Sequence, residues 1–271
     1  MADDSKWITQ LKELGAKLEE LKTTEGWKAW LRTASYFHEY SMGNCVLIWS
    51  QRPAATRVAG YKAWQKMGRQ VNKGERGIRI MAPMMIVDRS GDEDAHILRF
   101  RAVSVFDIAQ TSGDPLPEDE IWGRVSVPDG TTFEQLMERV NERSDIMAWT
   151  APAGPARGWT TFDPTVVTVV ESSPPAMVRT LLHELGHAHD PDLDIKSYAQ
   201  HRGTDELVAE ASAWLVGQWL GIEMDEPSCV YLAGWQASDQ DILTAASRVI
   251  ATARSTFVLV NEEAMDGVPT R

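Results

Sequence analysis

Apolar residues open the chain at helical spacing. Trp7, Leu11, Leu14, Leu18 and Leu21 recur every three or four positions with Lys and Glu between them, which predicts an amphipathic helix. A second helix is expected from Thr24 through Trp27, Trp30, Leu31 and Ala34. Asn44 is the expected cap of a short apolar helix, CVLIWSQ, which must stop before Pro53 because the residue ahead of a proline is pushed out of helical conformation. Gly60 and Gly68 bracket one more short helix, YKAWQKM. The period changes from Val71: NKGERG reads as a turn after a short strand, IRIMAPMMIV as a long strand, SGDED as a turn and ILRFRAVSVFD as the returning strand.

Residues 113–130 lose all periodicity and collect prolines, glycines and acids, so they are the expected linker between a first unit, 1–112, and a second, 131–271. The second unit begins with a helix over Thr132 to Arg143. The strand-like IMAWT, the turn APAGPARG and the β-branched run TVVTVV follow. Ser173 then Pro174 marks a strong helix start, a capping hydroxyl followed by a proline at the first helical position. The fold class expected is α+β throughout.

At 271 residues and 43% hydrophobic content the chain can build the core this pattern requires. No apolar run reaches the length of about 18 residues that a membrane span needs. MADDSKWITQ lacks a basic region followed by an apolar one, so a cytoplasmic protein without a membrane partner is expected. Cys45 and Cys229 stand far apart without metal-binding spacing and read as buried small residues. Charge divides unevenly: residues 1–110 hold 17 basic and 13 acidic side chains, a net of +4, and the remainder 10 and 26, a net of -16. Within the first part Arg57, Lys62, Lys66, Arg69, Lys73, Arg76 and Arg79 face one acid, Glu75. Such a window is either a solvated face or a track for phosphates; with Tyr61 and Trp64 interleaved it suits single-stranded nucleic acid, whose bases stack on aromatic rings. Trp27, Trp30 and Trp49 read as core.

The helix after Ser173 carries His183-Glu184-Leu185-Gly186-His187. An HExxH pattern on a helix sets both imidazoles on one face, able to hold one zinc ion, with the glutamate beside them as general base. A catalytic zinc needs a third protein ligand, and acids follow on the next expected helix: Asp205, Glu206 and Glu210. The arrangement expected is Glu206, 19 residues after His187, as third ligand, and Glu210 one turn on as the group that orients a ligand imidazole. His189, Tyr198 and His201 are each able to donate to an oxyanion, Tyr198 being preferred. The bland alternative is two surface histidines on an amphipathic helix. Val178, Leu181, Leu182 and Leu185 oppose it, since a half-buried site without metal would strand polar groups.

HELGH followed by DELVAE, with YLAGW and ILTAASRVIATA, resembles the zincin-type metallopeptidase domain of ArdC-type antirestriction proteins. Asn44 before an apolar helix, YKAWQKMGRQVNKGERG and FDIAQT resemble that family's single-stranded-DNA-binding domain. HExxH is shared with many unrelated peptidases; the joint signature G-x-x-V-x-K-G-E and FDxxQT is more specific. The region before Asn44 departs from the family pattern, so no contacts are carried over from it. The resemblance implies a small α+β DNA-binding domain followed by a zincin-like domain, in a protein of plasmids or phages that shields incoming DNA from restriction. Glu206 would be the third zinc ligand, and an unidentified host protein the peptide substrate, paired along TVVTVVES as an edge strand. The other class of function compatible with these residues is a non-enzymatic DNA-binding shield with a structural metal site.

Overall fold

The computed structural model describes residues 17–37, 39–88, 95–115, 132–193, 198–227, 232 and 238–261. Of residues 85–88, 95–99 and 198–202 it describes the backbone alone. Residues 17–21 are helical and bury Leu18 and Leu21, whereas Trp7, Leu11 and Leu14 lie outside the described residues. Helix α1, Thr24–Ala34, starts where the Thr23 hydroxyl accepts the Gly26 N–H at 3.1 Å. Trp27 and Trp30, one turn apart, bury completely with ring centroids 4.9 Å apart.

Helix α2, Met42–Gln51, corrects the expected cap. Ser41 holds that place, its hydroxyl accepting the Asn44 N–H, and Asn44 lies inside the first turn. The Asn44 amide turns outward to a strand: it donates to Met81 O and accepts from Met81 N, both at 2.9 Å. Gln51 does the same at Arg79, with both bonds 2.8 Å. The reason is an exposed edge. Strand β1 (Val58–Gly60), helix α3 (Tyr61–Lys66), strand β2 (Arg69–Val71) and the long strands β3 (Ile78–Asp88) and β4 (Ala95–Asp107) follow in turn. They form an antiparallel sheet in the order β1-β4-β3, with Ile78 opposite Val105 and Asp88 opposite Ala95. Among the described residues one edge of β3 therefore lacks a strand, and the two amides supply the donor and acceptor that a neighbouring strand would supply. SGDED falls outside the described residues.

A single 3-10 turn at Ile108–Gln110 leads into β5, Thr111–Gly113, which pairs with β2. Of the expected linker, Gly113 pairs with Arg69 in this ladder, and residues 116–130 lie outside the described residues. The second part contains α4 (Phe133–Arg143), β6 (Met147–Ala151), β7 (Gly158–Thr161), β8 (Val166–Val170), α5 (Pro174–His189), α6 (Tyr198–Trp219) and α7 (Asp239–Val260). Its sheet runs β6-β8-β7, with β6 parallel and β7 antiparallel to β8. TVVTVV is accordingly the central strand, not the edge expected from the sequence. Val167, Thr168, Val169 and Val170 all bury, as a strand covered on both faces and both edges must. The edge strand next to the metal helix is β7, which the sequence reading missed.

The apolar interior runs unbroken through both parts, from Trp27 and Ile48 to Leu182, Trp219 and Val249. Polar bonds reinforce the join: Trp219 Nε1 donates to Ser35 O at 3.0 Å, Arg32 pairs with Glu226 at 2.5 Å, and Arg254 donates to Tyr40 O. Cys45 buries in this interior, where desolvation pushes its thiol up to about 12. Helix α7 is long and apolar enough to cross a membrane, but 56% of its most apolar window is buried inside the fold, which makes it a core helix. Cys229 lies outside the described residues.

Replacing Asn44 with Ala should leave the Met81 N–H and C=O unpaired on a partly buried edge, at a cost of about 1–3 kcal/mol in urea-induced unfolding. An unchanged midpoint would show that water serves that edge as well as the amide does.

Candidate functional site

Helix α5 begins at Ser173 through its backbone, with Pro174 and Pro175 in the first turn. The Ser173 hydroxyl makes no capping bond, contrary to expectation; proline at these positions leaves fewer N–H groups to cap. One face of the helix packs on β7 and β8, and others meet α6 and α7. His183 and His187 stand one turn apart on it, ring centroids 4.9 Å apart and nearly perpendicular.

Both imidazoles face Glu206 of α6. Glu206 Oε2 lies 3.4 Å from His183 Nε2 and 3.8 Å from His187 Nε2, and the three ligand atoms fall within 4.8 Å of one another. Two ligands each about 2.0–2.1 Å from a tetrahedral ion stand roughly 3.3–3.5 Å apart, so this donor set fits a divalent metal of zinc's size. The surroundings are anionic. Burial alone would lower the His183 pKa, but the hydrogen bond to Glu206 and the charges of Glu184, Glu206 and Glu210 outweigh it and hold the value above the ordinary one. Glu210 therefore contributes field at His183 from one turn along α6.

Glu184, next to His183 in the chain, is buried. The Thr160 hydroxyl of β7 lies 2.8 Å from its Oε2 and 3.0 Å from its backbone carbonyl, fixing the carboxylate against the strand. Two glycines make these approaches possible. A Cβ on Gly158 would sit 2.6 Å from Thr180 Cγ2 and 3.2 Å from Glu184 Cγ. One on Gly186, between the ligand histidines, would sit 2.9 Å from Ala209 Cα on α6. Gly186 thereby sets the spacing between the helices that carry the three ligands.

Behind the ligands, Arg248 of α7 joins the same helices. Its Nε donates to Asp190 Oδ1 at 2.9 Å, and its Nη2 donates to Asp190 Oδ2 and, at 2.6 Å, to Asp205 Oδ1. All three side chains are buried. Asp205, a weighed ligand, thus points to Arg248. His189 faces α7, its Nδ1 2.9 Å from Thr256 Oγ1, and burial lowers its pKa. Tyr198 opens α6, but its side chain, like that of His201, lies outside the described residues. Sequence reasoning missed Thr160, Gly158, Asp190 and Arg248; the acid three residues beyond HELGH was the one available signal.

The basic window divides. Lys62, Lys66, Lys73, Arg76 and Arg79 are exposed, as is Tyr61, and Arg57 is half-buried. Trp64 is 0% exposed and its Nε1 donates to Phe106 O at 2.8 Å, so it is core, which corrects its expected stacking role. Arg69 is likewise engaged: its guanidinium donates to Thr111 Oγ1 at 2.8 Å, Thr111 O at 3.2 Å, Gly113 O at 3.3 Å and Asp114 O. FDIAQT organises the surrounding loops. Buried Asp107 accepts the N–H groups of Thr56, Arg57 and Ala109, while Gln110 accepts from Asp107 N and donates to Glu75 and to Arg76 O.

Residues 6–106 match the family described as the N-terminal domain of anti-restriction factor ArdC. The fold is similar to that of the antirestriction ArdC protein from the R388 plasmid. Its metal-free crystal structure aligns at a TM-score of 0.53 and 19% identity, covering 82% of this chain and 85% of that one. The Mn(II)-bound form aligns at 0.53 and 20%, covering 83% and 86%. An uncharacterized protein of Bacillus anthracis is 23% identical over 249 residues, 76% of this chain but 42% of its own length, so the chain spans less than half of that relative. The uncharacterized protein y4eC of Sinorhizobium fredii (strain NBRC 101917 / NGR234) is 27% identical over 238 residues, 76% of this chain and 73% of its own. Fold and site together define an α+β protein with a helix-borne candidate metal centre behind an ArdC N-terminal domain. Residues 6–106 carry the ArdC N-terminal domain, and the chain is similar in fold to ArdC.

Replacing Arg248 with Met should strand two buried carboxylates and cost about 3–5 kcal/mol of stability, with bound metal lost in the variant that remains folded. Arg248→Lys keeps the charge without the fork and should fall between. Urea unfolding together with metal stoichiometry after dialysis measures both effects.

Proposed function

We propose that this chain is a single-stranded-DNA-binding, zinc-dependent peptidase that protects the incoming DNA of a mobile element from restriction in the cytoplasm. DNA binding belongs to residues 1–112 and peptide-bond hydrolysis to residues 131–271. The observation that carries the reading is Glu184. It lies beside the convergent His183, His187 and Glu206 but outside their donor set, and is held by Thr160. A purely structural metal site needs ligands and has no use for a base so placed. The similar ArdC protein of R388, solved with Mn(II) bound, supports metal use at the corresponding fold.

His183, His187 and Glu206 would hold the ion, and bound there zinc supplies Lewis acidity toward a carbonyl and toward water. Glu184 takes the proton of the attacking water and passes it to the leaving amine. Thr160 donates to the Glu184 carboxylate in the resting site and so orients it without neutralising it. The extended substrate, an unidentified protein, pairs along the free edge of β7, which places its backbone beside Glu184. Tyr198 is the proposed donor to the oxyanion, and Glu210 the group that orients a ligand imidazole. In the alternative reading, a shield with a structural metal, occupancy of DNA alone protects.

Glu184→Gln separates the two readings. It should keep the metal and the fold, because no ligand is lost, and abolish peptide cleavage, because an amide accepts no proton from water. Glu206→Gln and His187→Ala should instead lose the metal, and chelation should lower the Tm of the wild-type chain alone. Mapping new protein N-termini in cells, with a restriction assay in parallel, reads the outcome; full protection of DNA by Glu184→Gln would establish the shield.

A further inference from the structure

The period of two along β3 and β4 sorts the first sheet into two faces. Ile78, Ile80 and Val105 point to the interior and bury. The opposite face carries Arg79, Met81 and Pro83 on β3 and Phe100, Ala102, Ser104 and Phe106 on β4, with Arg79 opposite Ser104, Met81 opposite Ala102 and Pro83 opposite Phe100 in the register. At one end the Phe106 ring lies over Gly77, where a Cβ would come within 3.2 Å of its Cζ. Phe106 also meets Tyr61 edge-on, with centroids 6.4 Å apart and planes at 72°. Burial of Trp64 against Phe106 O anchors α3 so that Tyr61 reaches this face. At the other end Phe100 is 60% exposed, and Tyr61 is 43% exposed.

We propose that this open face, from Tyr61 and Phe106 to Phe100 with Arg79 between them, is the track on which the bases of single-stranded DNA stack. The inference rests on the DNA-binding reading above and says where the bases lie. Phe106 and Phe100 are six residues apart on one strand, about 20 Å. That length suits about four nucleotides, the lower end of sites of this kind. A hydrophobic protein partner would want a continuous apolar patch; here Arg79 and Ser104 interrupt the apolar side chains between the aromatic ends, with Lys62 and Arg76 exposed in the segments that flank Tyr61 and Gly77. Those cations fit phosphates running beside stacked bases. Glu75, the acid of the basic window, bonds to Gln110 Nε2 at 2.8 Å.

The test uses the full chain and fluorescence anisotropy, comparing oligothymidine with an abasic oligonucleotide of equal length, which keeps the phosphates and removes the bases. Wild type should bind oligothymidine more tightly. Phe100→Ala, at an exposed position that leaves Tm unchanged, should weaken oligothymidine binding about tenfold and abasic binding not at all, with Phe100→Trp restoring it. Arg79→Ala should weaken both ligands and flatten the logarithmic salt dependence by about 0.7. No binding to either oligonucleotide by wild type would overturn the DNA reading itself. Intact binding by Phe100→Ala, or equal affinity for the two oligonucleotides, would overturn the track while leaving that reading in place. Dissociation of a wild-type oligomer by Phe100→Ala, measured by light scattering, would assign the face to a second copy of the chain instead.

Discussion

Arg248 reaches from α7 to Asp190, where α5 ends, and to Asp205 on α6. Removing such charges from water costs several kcal/mol for each ion, which the close hydrogen-bonded geometry offsets without leaving a large surplus. The clamp is therefore weak as a source of stability and strong as a source of geometry. His187 is three residues before Asp190, and Glu206 follows Asp205 directly, so the cation that pins the two aspartates fixes the helices on which the ligands stand. Gly186 acts on the same pair of helices in a different way. Its missing Cβ lets α5 approach Ala209 of α6, and Arg248 then settles which positions oppose one another. The distances of 3.4 and 3.8 Å at Glu206 Oε2 follow from both.

The strand side of α5 completes the arrangement. Adjacent residues on a helix differ by about 100° in direction, so when His183 and His187 face α6, Glu184 between them points toward the sheet. There it meets β7, close enough to touch because position 158 is glycine. The candidate metal ligands and the proposed base are thus held by different neighbours: α6 and α7 for His183, His187 and Glu206, β7 for Glu184. A substitution on one side can disturb metal affinity or proton transfer separately, a division built into helical periodicity.

Features that depend on local periodicity were legible in the sequence. HExxH was readable because i and i+4 share a helical face in any context, and Glu206 because the following helix offered few acids to choose from. The helix expected from Thr132 obeys the same local logic, closed by a capping box. What escaped depends on tertiary neighbours. Arg248 and Asp190 are 58 residues apart, and nothing local marks either as a partner of the other. Strand β7 is a four-residue GWTT whose glycine and threonines look like loop. Asn44 has the residue type of a cap, yet the strandless edge of β3 claims its amide. In the six-residue α3, one turn and a half of helix cannot reveal which side faces inward, so Trp64 and Tyr61 were indistinguishable until β4 buried the first and exposed the second.

For the hydrolytic role proposed for the candidate metal centre, charge decides between a phosphodiester and a peptide bond. Hydrolysis of a phosphodiester builds up negative charge on phosphoryl oxygens and is served by cations placed around it. Around His183 stand Glu184, Glu206 and Glu210, and Arg248 behind them is already matched by Asp190 and Asp205. The sequence from residue 111 onward carries a net charge of -16, counted from 10 basic and 26 acidic residues, whereas the exposed cations Lys62, Lys66, Lys73, Arg76 and Arg79 belong to the first unit. A nucleic-acid strand bound to that first unit, as proposed, would meet repulsion at the candidate metal centre. A neutral peptide, asking for one base and one edge of hydrogen-bonding strand, meets neither penalty. Under the proposed function, the charge division that would favour binding of DNA by one part of the chain would also favour a peptide over the DNA itself as the substrate of the other.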